Sequence, residues 1–141
     1  MTKLVRKTLF RILTLQLGLG FAFVGASLAL AQSVPMPLKT ATDRQLGTFL
    51  VDPKGMTLYL FDNDKVPGKS NCYGGCAETW PPFVPKRGDP TPVAPLTIII
   101  RTDGSKQYAY KGRPLYTYVE DASVGSTEGQ GLGDRWWVVK P

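Results

Sequence analysis

The sequence contains no histidine. That absence excludes imidazole general acid–base catalysis, serine or cysteine hydrolysis with a histidine partner, and most zinc and haem ligation. Cysteine is scarce as well: Cys72 and Cys76 are the two in the chain, so at most one internal disulfide can close. Basic runs are missing beyond the first eleven residues. Lys3, Arg6, Lys7 and Arg11 supply four of the 17 Lys and Arg, and no acid precedes Asp43. From Gln32 onward, 13 basic residues against 11 acidic ones leave a net charge of only +2. A charge that small and dispersed argues against a nucleic-acid partner. No stretch after residue 31 carries the 3.6-residue apolar period of an amphipathic helix.

The basic start runs into an apolar stretch from Ile12 to Leu30, closing on Ala29-Leu30-Ala31. This is the layout of a secretory signal peptide cleaved before Gln32. Gly18, Gly20, Gly25 and Ser27 dilute the stretch as a membrane span, and an uncleaved signal would be its one membrane contact. No cysteine follows to take a lipid anchor. The expected organisation is a signal peptide over 1–31, a flexible proline-rich lead over 32–40, and one folded domain over 41–141. The expected location is periplasmic or secreted.

An exported chain meets oxidising conditions, so Cys72 and Cys76 are expected to form a structural disulfide that pins a local turn. The alternative is a redox dithiol, or a soft-metal clamp for Cu(I) helped by Met56 or Met36. A thioredoxin-type site places CxxC at a helix start. The Cys72-Tyr73-Gly74-Gly75-Cys76 segment is CxxxC, in no such context.

The folded part says the same thing twice. Tyr59-Leu60-Phe61-Asp62-Asn63-Asp64 and Tyr116-Thr117-Tyr118-Val119-Glu120-Asp121 share aromatic, any, aromatic, any, any, Asp. At the same offset Gly55 falls on Gly112, Leu58 on Leu115, Gly68 on Gly125, Gly74 on Gly131 and Trp80 on Trp137. Two copies of one structural unit follow, about 47–84 and 96–141. Each reads as a hairpin plus a long glycine-rich loop. The fold class is all-β: a small antiparallel domain of two pseudo-symmetric repeats.

The first hairpin turns at Asp52-Pro53-Lys54-Gly55, where Pro presets its backbone angle and Gly supplies the left-handed position. A three-residue loop sets Phe49 against Tyr59 and Val51 against Thr57. Period-two alternation then puts Phe49, Tyr59 and Phe61 on one face, with Leu50, Leu58 and Leu60 on the other. The same loop in the second copy, closing at Gly112, would place Tyr108, Tyr116 and Tyr118 on one face. Leu96 to Arg101, with a turn at Asp103-Gly104, adds a third strand there.

The acids Asp64 and Asp121 admit two readings. One is a carboxylate pair for acid–base work or cation binding. The other, favoured because both copies keep the residue, is local: each accepts backbone N–H groups and holds the turn after its strand. The loop from Asp121 to Asp134 resembles a calcium loop only faintly, since Ser126, Thr127, Gly129 and Gln130 replace alternating acids. The aromatics Trp80, Trp136 and Trp137 are candidates for a ligand-binding face. Adjacent strand residues point to opposite faces, so one of Trp136 and Trp137 is expected to be exposed.

The segments LYLFDNDKVPGKSNCYGGCAETWPPF and QYAYKGRPLYTYVEDASVGSTEGQGLGDRWWVVKP resemble a bacterial family, the secreted repeat of unknown function. It is also described as predicted lipoproteins with a Yx(F/W/Y)xxD motif. The resemblance rests on Tyr59, Phe61, Asp64, Tyr116, Tyr118 and Asp121, and on Cys72, Tyr73, Gly74, Cys76, Ala77, Trp80, Pro81 and Pro82. It covers Phe49 to Pro141 and implies export and the repeat, without an established activity. The chain departs from it in lacking a lipobox cysteine and in a second loop poor in Asp and Asn. The functional expectation is a non-enzymatic exported module that binds an unknown protein or small ligand in the cell envelope, with no cofactor and no metal.

Overall fold

Seven short strands make up most of the regular structure in residues 37–141, which the computed structural model describes and which lie in one compact unit. The signal-peptide assignment and the first part of the lead fall outside those residues. Strand β1 (Lys39–Asp43) extends the first copy ahead of the start expected near residue 47, and strands β2 (Gly47–Val51) and β3 (Tyr59–Phe61) come from that copy. Strands β4 (Leu96–Ile100), β5 (Lys106–Tyr110), β6 (Arg113–Pro114) and β7 (Trp136–Val138) come from the second. All pairings are antiparallel, as the all-β reading expects. β1 begins inside the stretch read as a loose lead, and Leu38 just before it is buried. Among the described residues no helix is long and apolar enough to cross a membrane.

The first hairpin closes as its turn residues dictate. Asp52 N–H donates to Met56 C=O at 2.8 Å, and Val51 bridges Thr57. Gly55 sits at φ +88°, where a Cβ is strained. Phe49, Tyr59 and Phe61 enter one core layer; Leu50 and Leu58 enter the other, with Leu60 packed against it.

The second hairpin is one residue tighter. Tyr110 pairs with Arg113 and Ala109 with Pro114, leaving a two-residue loop of Lys111 (φ 50°) and Gly112 (φ 78°). Two consecutive positive φ angles define a type I′ turn, which matches the twist of the flanking strands. The expected three-residue loop is therefore corrected, and with it one face assignment. A one-residue slip moves Tyr108 to the opposite face from Tyr116. Tyr108 packs in the leucine-rich layer with Leu115, while Tyr116 and partly buried Tyr118 belong to the aromatic layer.

The two copies are interlocked. β1, β2 and β3 lead to β7, from the end of the second copy. β4, β5 and β6 lead to the segment around Pro82, from the end of the first. Leu50 N–H donates to Val139 C=O (2.8 Å) and Val139 N–H to Leu58 C=O (3.0 Å). The counterpart bonds run from Tyr108 N–H to Phe83 C=O (2.8 Å) and from Phe83 N–H to Leu115 C=O (2.8 Å). The two halves meet where Tyr59 and Tyr116 exchange backbone hydrogen bonds of 2.8 and 3.1 Å. That bridge marks a pseudo-twofold axis.

Candidate functional site

The repeat motif assembles around this axis, and its tyrosines and acids pair across it. Tyr59 hydroxyl donates to Asp121 Oδ2 at 2.9 Å, and Tyr116 hydroxyl donates to Asp64 Oδ2 at 2.7 Å. Each acid uses its other oxygen locally: Asp64 Oδ1 accepts from Asn71 N–H (2.7 Å) and Asp121 Oδ1 from Glu128 N–H (3.0 Å). Acceptor and donor are seven positions apart in both loops, so each carboxylate clamps the start of its loop. Burial pushes both carboxyls above the usual aspartate range, against the opposing pull of the tyrosine and backbone donors. Burial and the facing acid push both phenols up as well. With both oxygens of each acid occupied, the geometry answers to the local, fold-holding reading, extended by a tyrosine from the other copy.

Trp80 and Trp136 are equally committed. They are buried and stack face to face at 3.8 Å, with planes 3° apart. Tyr118 stacks on Trp80 at 4.3 Å, and Phe61 stacks on Trp136 at 4.2 Å. The structural counterpart of Trp80 is thus Trp136, one residue off the ungapped alignment. As ligand candidates these two are corrected: they form the aromatic centre of the core. Trp137 is the exposed member of the pair, at 36%.

Cys72 and Cys76 form a disulfide across the start of a five-residue helix, α1 (Gly75–Thr79). Cys72 is fully buried. Its carbonyl accepts from Arg101 Nη2, whose other terminal nitrogen, Nη1, donates to Ser70 Oγ (2.9 Å) and Gln107 Oε1 (2.5 Å). Arg101 is 4% exposed and lies with its guanidinium 4.3 Å from the Tyr73 ring centre. It ties the cysteine loop of the first copy to the sheet of the second. Among the described residues no cluster of three or more His, Cys, Asp and Glu is arranged to hold a metal.

A surface site gathers around Trp137. Its indole N–H donates to Asp62 Oδ2 at 2.7 Å, and Arg113 grips Asp62 Oδ1 at 3.1 Å. Arg113 also donates to Phe61 C=O, which fixes its fork. The bonds from Trp137 and Arg113 outweigh the burial that would raise Asp62 and hold its carboxyl below the usual range. Next to this chain lies an open cleft of about 350 Å³ lined by Asp62, Asp64, Lys65, Pro67 and Arg113.

A family model described as a secreted repeat of unknown function matches residues 40–84 and 97–140. The chain belongs to that family. It is an exported protein built of two copies of the secreted repeat. Nothing matches it among curated proteins or solved structures. The secreted-repeat motif is accounted for by the fold: its tyrosines and acids pair across the axis, and its second aromatics stack on Trp136 and Trp80. The Trp137 surface lies outside that motif. Across the pseudo-twofold the positions of Asp62, Lys65, Pro67 and Arg113 fall on Val119, Ala122, Val124 and Met56, and that of Trp137 on Pro81. Sequence reading named Trp137 but missed Asp62, Arg113 and Arg101. The signal available for the first two was this contrast between copies: charges in one repeat where the other is apolar.

Proposed function

We propose that the protein is an exported, non-enzymatic binding module, periplasmic or released, that takes its ligand or partner on the Trp137 surface. The observation that carries this reading is the asymmetry of the site. The architecture reproduces every motif residue in both copies, yet on only one side of the pseudo-twofold is an exposed indole of the second copy locked by Asp62 of the first and by Arg113. A solvent-facing indole with fixed orientation suits stacking against a flat ring or an apolar side chain. Asp62, which holds the indole, and Lys65 and Arg113, which line the cleft with it, supply directional hydrogen bonds for selectivity. The absence of histidine and the full occupation of Asp64 and Asp121 support a binding role over catalysis. No geometric feature favours the redox or soft-metal reading, since both sulfurs are taken up in one bond and Cys72 is buried.

The test is capture from a cell-envelope fraction with quantitative titration. The proposal expects a saturable ligand that wild type retains and Trp137→Ala and Arg113→Ala lose. Trp137 is 36% exposed and its removal also breaks the bond to Asp62, so both variants are first checked for an unchanged near-UV CD spectrum. Equal binding by both variants would move the site elsewhere. Absence of any saturable ligand would remove the reading.

A further inference from the structure

A second cleft, of about 410 Å³, is lined by the proline-rich linker between the copies and by strands β4 and β5. It shares no lining residue with the cleft beside Trp137. Three cations line it, Lys86 and Arg87 from the linker and Lys106 from β5, against one acid, Asp89. From Gln32 onward the chain carries 13 basic residues and 11 acidic ones, so the net +2 of this cleft equals that of the whole stretch. The remaining charges balance. The positive excess is dispersed along the sequence, and the fold gathers it in one place.

The acid in the cleft is already employed. Asp89 Oδ2 accepts from Lys86 N–H (2.7 Å) and from Tyr108 hydroxyl (3.0 Å), and Asp89 N–H donates to Lys86 C=O (3.1 Å). These bonds close the turn that carries Lys86 and Arg87 and pin it to Tyr108, a buried residue. Burial and the facing Asp89 push the phenol up to about 12, so it keeps its proton and remains the donor. Asp103, the acid nearest to Lys106 in sequence, is also spent. Its Oδ1 accepts from Ser105 N–H and hydroxyl, and its Oδ2 faces Arg101 Nε at 3.7 Å. Lys86, Arg87 and Lys106 are exposed, and among the described residues none of them forms an ion pair. The fold does not demand this chemistry. Across the pseudo-twofold, Leu50 and Thr48 stand where Tyr108 and Lys106 stand.

We propose that this cleft binds a phosphate monoester, with the phosphate held by Lys86, Arg87 and Lys106 and an apolar or ring-bearing body resting on Ile98 and Pro92. A monoester carries close to two negative charges at neutral pH, which matches the cleft's net charge. Lysine binds phosphate as a point charge and needs no fixed fork, as exposed side chains on a pinned turn require. A carboxylate or a sulfate ester brings only one charge. Ile98 is 38% exposed and lines the cleft with Pro92, so the body has apolar surface to cover. Three cations suit one terminal phosphate, whereas a nucleic-acid strand needs a longer basic stripe.

Titration of the folded domain with phenyl phosphate, at low salt and neutral pH and followed by amide NMR, tests this. The expected result is saturable shifts at Lys86, Arg87, Asp89 and Lys106. Phenyl sulfate and inorganic phosphate should each bind several-fold more weakly. Lys106→Gln and the Lys86→Gln/Arg87→Gln double variant should each weaken binding about ten-fold or more, the scale of a hydrogen bond to a charged group. Lys54 is exposed and lies outside the cleft lining, so Lys54→Gln removes the same charge as Lys106→Gln and should leave binding unchanged. All these variants should keep the wild-type near-UV CD spectrum. Vesicles of phosphatidylcholine with and without phosphatidate separate a lipid-borne monoester from a soluble one. Phosphatidate-dependent co-sedimentation that Lys106→Gln abolishes assigns a headgroup, and its absence beside phenyl phosphate binding assigns a soluble ester. The proposal is overturned by an absence of saturable shifts in the cleft, or by phenyl sulfate or inorganic phosphate binding as tightly as phenyl phosphate. A loss in Lys54→Gln equal to that in Lys106→Gln overturns it as well, since net charge alone would then explain the binding.

Discussion

Asp121 accepts from two donors at once, Tyr59 hydroxyl at one oxygen and Glu128 N–H at the other. An asparagine offers one acceptor oxygen and an NH2 group that donates. Asp121→Asn therefore sets a donor against a donor in a buried site. The expected loss is about 1–3 kcal/mol, the cost of leaving one buried polar group unsatisfied, read from chemical denaturation. Tyr59→Phe removes the partner of both Asp121 Oδ2 and Gly129 N–H and should likewise cost about 1–3 kcal/mol. The pH dependence has a defined sign. The folded-state carboxyl of Asp121 is raised above the unfolded value of 3.8, so the folded state binds the proton more tightly. Its contribution is fully present below 3.8 and is lost as pH rises through the folded value. Asparagine does not titrate, so the stability gap between wild type and Asp121→Asn should be wider near pH 4 than at pH 7. A gap that is constant or wider at neutral pH would contradict the burial-driven shift. Gly129 sets a steric limit beside this site: a Cβ there would lie 2.7 Å from the Trp80 ring and 2.9 Å from the Tyr59 ring. Gly129→Ala should therefore cost about 1–3 kcal/mol through overpacking, measured by the same denaturation.

At the scale of elements, what was legible followed from local turn chemistry. Asp52-Pro53-Lys54-Gly55 names its turn, so the first hairpin, its loop length and both its faces could be read directly. Tyr110-Lys111-Gly112 offers one glycine and no proline. Its left-handed lysine was hidden, and the register copied from the first hairpin slipped by one. The α1 helix was hidden for a different reason. Five residues cannot display a period, and the helix is held by the loop that contains it. That loop has its own testable energetics. A disulfide spanning four positions closes a very short loop, for which chain entropy gives about 2 kcal/mol. Arg101 adds independent ties to the same segment through Ser70 and the Cys72 carbonyl. The Cys72→Ser/Cys76→Ser double variant should therefore stay folded, with stability reduced by about 2 kcal/mol. A double variant that loses its tertiary near-UV CD signal would show that the disulfide, rather than Arg101, holds the loop.

The whole molecule departs furthest from what a linear reading conveys. That two repeats unable to bury their apolar faces alone join in one core is expected; that each copy donates its last strand to the sheet of the other is not. Nothing in the periodicity of residues 80–83 or 136–139 says which sheet they join, because either pairing buries the same apolar faces. The crossed Tyr–Asp bonds share this origin: a motif kept in both copies gives no sign that its tyrosine and its acid serve opposite halves. One consequence is cooperativity. Neither repeat has a complete sheet or a complete aromatic stack, so neither should be stable alone. Cutting the chain in the exposed loop near Gly88, between Phe83 and Leu96, separates the copies without touching any strand. Each fragment alone should lack near-UV CD and protected amides. An equimolar mixture should recover both, because each fragment carries the strand the other lacks. The intact domain should unfold in one transition, with the Trp80 and Trp136 signals changing together. A single fragment that folds as a monomer, or two separable transitions in the intact domain, would show that strand exchange does not govern the stability of this fold.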